Sequence, residues 1–370
     1  MRAAGGTRGW RRVAVGAAAL LVGATGTPVA ARAAPTPGAD AATPVCAVRD
    51  RRLIEISGLA AIDGGYAVVN DGADDESRRR IFFLGPDCRV VRDVPYPSRP
   101  RDTEDLAVTA DGTVWVADVG DNDRSRTTVA VWKLPPGAAR PVLHRLTYPD
   151  GPHDAEALLV TGDGRPVVVT KFSGALYAPT TAPRPGATVP LARVGQVRLP
   201  ATTTSNPFGI LGRGAITGAA TAPDGSRVVL RTYADAFEFD VTGGDVIAAL
   251  TTGTPRTTAL PDEPQGESIT YDRDGRSLLT VSETADQPPG TAPRILRYPL
   301  AGPAAAPPGG TPEPTSTPTD AATGADPTAA VGAGRRGGDV HPAVPLAAAA
   351  LVLGAVVVAG LVALRRIRRR

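Results

Sequence analysis

Lysine is nearly absent from this 370-residue chain: Lys133 and Lys171 stand against 38 arginines. With abundant Ala, Gly and Pro, that bias fits a GC-rich coding sequence rather than a function. Histidine is almost as scarce. His144, His153 and His341 are the whole supply, which excludes a His-rich zinc or copper centre. Cys46 and Cys88 are the only cysteines, too few to close a structural zinc site. No Gly-x-Ser-x-Gly elbow, P-loop or dinucleotide fingerprint occurs, which argues against a serine hydrolase or nucleotide enzyme. No nucleotide, haem or flavin cofactor is expected. Aromatic residues make up only 4%, so a core must be built mainly from Val, Leu, Ile and Ala.

The basic balance belongs to the ends. The whole chain is +3; residues 1–43 carry +4 and residues 301–370 carry +3, leaving −4 for residues 44–300. Nucleic-acid binding therefore has no electrostatic support. Arg2, Arg8, Arg11 and Arg12 precede an apolar run and Ala31-Arg32-Ala33, which reads as a signal peptide over 1–33, by either the general or the twin-arginine route. Residues 34–44 read as a linker and 45–300 as the folded domain. Residues 301–342, rich in Pro, Thr, Ala and Gly, read as an extended stalk that cannot bury enough surface to fold. Leu346 to Leu364 has no polar side chain, so 343–364 reads as a transmembrane helix and the arginine-rich 365–370 as a cytoplasmic tail. The expected location is the cell membrane, single-pass, with the domain extracellular and the lipid bilayer as a partner. An exported domain with two cysteines is expected to join Cys46 to Cys88.

Five segments in the domain begin alike, at Ser57, Glu104, Glu156, Thr217 and Glu267, spaced 47, 52, 61 and 50 residues apart. Each runs into a turn, Asp63-Gly64, Asp111-Gly112, Asp163-Gly164, Asp224-Gly225 and Asp274-Gly275, and then a second apolar strand. A period near fifty made of short strands predicts an all-β β-propeller. Five blades are expected, with a sixth left open by the long irregular stretch 178–213. The last repeat lacks a fourth strand, so Val45–Arg49 or Arg52–Ile56 is expected to supply it. Cys46–Cys88 would then link neighbouring blades.

In a propeller the start of each inner strand and the end of the second strand meet at one rim. That rule gathers Glu104, Glu156 and Glu267 with Asn70, Asp71, Asp102, Asp118, Asp121, Asn122, Asp154, Lys171, Arg231 and Glu283. Like charges at a narrow mouth raise one another's pKa unless a cation offsets them. Oxygen-rich donors suit Ca²⁺ best, then Mg²⁺ or Mn²⁺. The expected metal ligands are Glu104, Glu156, Glu267, Asp121 and Asn122. Lys171 and Arg231 are expected to bind an anion. His153, Lys171 and Glu156 are catalytic candidates, although His153 beside Asp154 equally fits a hydrogen-bonded structural role.

The motifs Asp102-Thr103-Glu104-Asp105-Leu106, Gly120-Asp121-Asn122, His153-Asp154-Ala155-Glu156-Ala157-Leu158, Thr170-Lys171 and Gly266-Glu267-Ser268-Ile269 give the chain a resemblance to secreted bacterial propellers of the phytase-like esterase group. The chain is also similar to gluconolactonase-like propellers. The resemblance implies an acidic mouth that holds divalent cations and cleaves phosphoesters, esters or lactones. Blades 1 and 4 depart from it, with Ser57 and Thr217 where Glu is expected. Three functions stay open at this point: a cation-dependent hydrolase acting on a small anionic substrate, a non-enzymatic module binding glycan, peptide or protein, and a structural propeller whose ion clamps the blades.

Overall fold

The computed structural model describes residues 42–300. The signal peptide, stalk, transmembrane helix and basic tail expected from the sequence lie outside the described residues. Among the described residues no helix is long and apolar enough to cross a membrane.

Strand β1 (Thr43–Ala47) starts two residues before the expected domain boundary at 45. Four sets of four strands follow. They are β2 (Ile56–Ile62) to β5 (Val90–Pro95) with β3 (Gly65–Asn70) and β4 (Arg80–Leu84) between, then β6 (Asp105–Val108), β7 (Val114–Asp118), β8 (Val129–Leu134) and β9 (Val142–Thr147). The third set is β10 (Ala155–Val160), β11 (Pro166–Thr170), β12 (Ala175–Pro179) and β13 (Thr188–Gln196). After helix α1 (Gly209–Gly214) come β14 (Ile216–Thr221), β15 (Arg227–Thr232), β16 (Asp235–Asp240), helix α2 (Val246–Thr252) and β17 (Arg256–Ala259). The fifth set has only β18 (Gly266–Tyr271), β19 (Ser277–Ser282) and β20 (Arg294–Pro299). β1 pairs antiparallel with β20 and completes it. The closing strand is thus the first of the two expected segments, and Arg52–Ile56 leads instead into β2.

Each set is an antiparallel meander, and the Asp-Gly turns join its first two strands. The glycines there have positive φ, from 67° at Gly275 to 79° at Gly64 and Gly112, a conformation that costs other residues more. Five apolar clusters fill the gaps between successive sheets. One joins blades 1 and 2 through Val69, Ile81, Val116 and Trp132. The others lie between blades 2 and 3, 3 and 4, 4 and 5, and finally 5 and 1, where Leu279, Val281 and Ile295 meet Leu59, Val68 and Phe82. The fifth gap closes the circuit. The inner strands also pack in a cycle, β2 on β6, β6 on β10, β10 on β14, β14 on β18 and β18 on β2. The fold is all-β and propeller-like, with five blades. Residues 178–213 hold the end of β12, β13 and α1 rather than a sixth sheet.

Two features depart from the expected set of separate blades. β13 pairs in parallel with β9 through Thr188, Val189 and Pro190, fusing the second and third sheets into one of eight strands. The pairing covers two outer edges that would otherwise be open. Second, every inner strand starts with a one-residue bulge. The pairing register slips at Ser57, Glu156, Thr217 and Glu267. In blade 2 both Glu104 and Asp105 oppose Ala117. A bulge re-aims the extra side chain, so the five anchor residues of the repeat are the five bulged ones.

The residue after each bulge sits where the inner strands converge. It is Gly58, Ala157, Gly218 and Ser268 in four blades. A Cβ on Gly218 would lie 2.5 Å from the Glu267 carbonyl oxygen, so that position has no room for a side chain. The fifth is Asp105, fully buried, whose carboxylate accepts the amides of Leu106, Leu158 and Ala219 at 2.8, 2.9 and 3.0 Å. One side chain thereby ties blades 2, 3 and 4. Ser57 Oγ donates to the Thr103 carbonyl (3.1 Å) and Thr217 Oγ1 to the Gly266 carbonyl (2.9 Å), clasping two further blade junctions.

Cys46 in β1 is bonded to Cys88 in the β4–β5 turn, as expected, and the bond crosses from the last blade to the first. Two outcomes follow for denaturant melts. Cys46→Ser should cost about 4 kcal/mol, from the entropy of a loop with a sequence separation of 42. Asp105→Ala should cost at least about 3 kcal/mol, because three buried amides lose their acceptor at roughly 1 kcal/mol or more each.

Candidate functional site

The bulges place Glu104, Glu156 and Glu267 at one mouth of the ring. All three are buried. One carboxylate oxygen each from Asp71, Asp102 and Glu104 lie within 4.8 Å of one another. Asp71 follows the end of β3. Asp102 is delivered by the segment before β6, whose Arg101 and Asp102 amides donate to the Asp118 carboxylate at 3.0–3.1 Å. Asp118 also receives Arg126 (2.9 Å) and the Trp132 indole (3.2 Å). It supports the mouth from behind rather than lining it.

Two glycines make room for the group. A Cβ on Gly120 would collide with Glu104 Oε1 and lie 2.7 Å from Asp102 Oδ2, and one on Gly72 would collide with Asp102 Oδ1. Burial, then the charges of Asp71 and Asp102, push the Glu104 carboxyl well above its ordinary range.

Beside this triad Lys171 pairs with Glu156. Burial works against the ammonium, but Glu156, Glu267 and Asp154 outweigh it and hold the Lys171 pKa well above its usual value. Burial lifts Glu156 despite Lys171, and its Oε2 is buried with no hydrogen-bond partner. Glu267 accepts from Tyr233 Oη at 3.0 Å and Gln265 Nε2 at 3.1 Å. Gln265 also donates to Glu283 at 2.7 Å. Burial raises Glu267 to about 7.

Several expected site residues have other occupations. The Asp121 carboxylate accepts the amides of Ser125 (2.9 Å) and Arg126 (2.8 Å) within its own loop, and its amide donates to Asp154 Oδ1 (3.0 Å). Asn122 is half-buried on that loop. Asp121 is not part of the carboxylate triad; its loop uses it as a turn acceptor. Arg231, expected to meet an anion, is fully buried. It pairs with Glu263 at 3.0 Å and donates to the Ser268 and Thr232 carbonyls. His153 Nε2 lies 2.9 Å from both Asp150 Oδ1 and Tyr177 Oη, in an aromatic group with Tyr148. Asn70 donates to the Arg52 and Arg78 carbonyls at 2.9 and 3.1 Å.

Tyr233 went unforeseen. Strands β3, β11, β15 and β19 are followed directly by Asp71, Lys171, Tyr233 and Glu283. Counting one residue past the second strand finds Tyr233. Arg231 instead pairs with Gly218, the position that Val169 takes against Ala157 in blade 3, and so points between blades.

No known protein family's pattern matches the chain, and no curated protein matches it. Solved structures similar to it include a gluconolactonase from Xanthomonas campestris, 15% identical over 66% of this chain and 72% of that one, with a TM-score of 0.37. A streptogramin B lyase is 12% identical over 67% and 94%, at 0.38. An aldose sugar dehydrogenase from Streptomyces coelicolor is 13% identical over 70% and 96%, at 0.36. Likenesses of this size carry no argument, and the fold rests on the strand pairing and packing above.

The Glu267 pKa gives a signed expectation. In the unfolded chain it ionises near 4.5, and in the fold at about 7. The folded state holds the proton more tightly, so Glu267's contribution is complete below pH 4.5 and is lost as pH rises through 7. Urea melts should show the wild type losing roughly 2 to 3 kcal/mol more than Glu267→Gln between pH 5 and pH 8.

Proposed function

We propose that this mouth is a hydrolytic centre working with a hard divalent cation, Ca²⁺ before Mg²⁺ or Mn²⁺, on a small anionic ester, lactone or phosphoester. The observation that carries the reading is the approach of Asp71, Asp102 and Glu104 to within 4.8 Å. Oxygens sharing one calcium at 2.3–2.6 Å lie within about 5 Å of each other, so the spacing fits. The space kept open by Gly72 and Gly120 and the orphaned Glu156 Oε2 support it. A bound cation would offset the clustered charge, polarise a substrate oxygen and make water more acidic.

The chain's own groups supply the rest. Lys171, kept charged beside Glu156, draws the anionic end of a substrate. Glu267 titrates at about 7 and can take or give a proton near neutral pH. Tyr233 and Gln265 hold its carboxylate in place. The resemblance to phytase-like esterase and gluconolactonase-like propellers implies the same class of chemistry. The reading includes display at the cell membrane, supported by the apolar run from Leu346 to Leu364 and the arginines after it. A second reading, a binding module without turnover, is favoured by the long Pro- and Thr-rich stretch 301–342, which suits a displayed receptor.

The full chain in detergent should melt several degrees higher in Ca²⁺ than in EDTA, since a ligand at about 100 times its Kd adds about 2.7 kcal/mol. Asp102→Asn and Glu104→Gln should abolish the shift. Turnover of p-nitrophenyl phosphate, p-nitrophenyl acetate or gluconolactone should need Ca²⁺ and fall about a hundredfold or more in Glu267→Gln. No calcium shift would end the cation reading, and a shift without turnover would favour the binding module.

A further inference from the structure

The mouth has a second half that the carboxylate triad does not use. Lys171 Nζ lies 5.9 Å from the centre of the Phe172 ring and 5.6 Å from that of Tyr233. Both are within the roughly 6 Å range of cation–π attraction. Tyr233 packs against Phe208 with ring centres 4.3 Å apart. Phe208 precedes α1, at the end of a segment strapped over blade 4. Thr202 and Thr204 hydroxyls donate to Asp235 at 2.5 and 2.6 Å, and the Tyr233 amide donates to the Gly212 carbonyl at 3.2 Å. The strap brings Phe208 against Tyr233, one of the two rings beside Lys171.

The apolar surface here is open. Phe172 is 36% exposed, and Ile210, two residues past Phe208, is 81% exposed. Val91 and Val142, the other exposed large apolar residues among those described, lie on outer strands of blades 1 and 2. An ammonium has three donors; Glu156 takes one and the Tyr233 hydroxyl oxygen a second, which leaves one. What remains is one cationic donor beside two aromatic rings, of which Phe172 is exposed. An aliphatic anion would satisfy the donor and leave the rings in water, whereas a flat aromatic anion covers both.

We infer that the substrate or ligand of this mouth is an aryl-bearing anion, an aromatic carboxylate or aryl phosphate, with its ring on Phe172 and Phe208 and its charge at Lys171. This rests on the reading of the mouth as a substrate site but not on the cation.

The test is calorimetric titration of the full chain in detergent with phenylphosphonate and methylphosphonate, which share a head group and resist hydrolysis. Phenylphosphonate should bind roughly tenfold tighter. Phe208→Ala with Phe172→Ala should bring the two affinities within about twofold, a change the size of lost aromatic contacts. Phe172→Ala alone, at an exposed position, should narrow the gap and serves where the double variant is unstable. Lys171→Met should remove binding of both probes. Equal affinities, no binding of phenylphosphonate, or a preference untouched by the aromatic variants would each overturn the assignment. Running both titrations in EDTA separates the two readings. An aryl preference that persists while calcium gives no melting shift sinks the cation and keeps the aryl site, and a calcium shift with no aryl preference does the reverse.

Discussion

Convergence of five inner strands on one axis is the constraint from which the rest follows. Where they meet, backbone approaches backbone, and four of the five positions are Gly, Ala or Ser. The fifth, Asp105, turns the crowding into a bond: its carboxylate lies against the amides of Leu106, Leu158 and Ala219. Burial drives its pKa well above the ordinary carboxylate range, and those three donors offset only part of that rise. The bulge just before this position gives the next side chain a new direction. Closing the axis and aiming the glutamates are therefore one geometric event.

The mouth inherits an electrostatic problem from that event. Asp71, Asp102, Asp154 and the three glutamates act on one another's charge, and Lys171 is their single ammonium. Like charges near one another in a poorly solvated place are held only because the scaffold fixes them. Asp118 shows how: it accepts two backbone amides, a guanidinium and an indole, and this locks the segment that carries Asp102. Rigidity behind the mouth is what keeps its acidic groups from swinging apart.

Much of this was legible in the chain. The fifty-residue period, the Asp-Gly turns and the missing fourth strand led to the ring, its closure and the cysteine pair. The glutamates were legible as a set because bulges recur at one point in the repeat. The finer site was not. Arg231 and Tyr233 differ by two positions, and a two-residue count along a strand leaves the side chain on the same face while moving it from the mouth into the wall. Asp121 looks like a metal ligand in sequence, and in the fold each of its oxygens accepts an amide of its own loop. Parallel pairing of β13 with β9 left no mark, since it depends on how far a nine-residue strand overruns its own blade.

The crossing from Cys46 to Cys88 bears on the order of events at synthesis. β1 emerges first, yet its partner β20 emerges some 250 residues later. Until then a strand with unsatisfied amides would be free to wander or to recruit a neighbouring chain. Cys88 appears only 42 residues after Cys46, so oxidation can moor the early strand beside blade 1 while most of the ring is still unmade. The covalent link then acts as a bookmark, holding the place where the last strand must land.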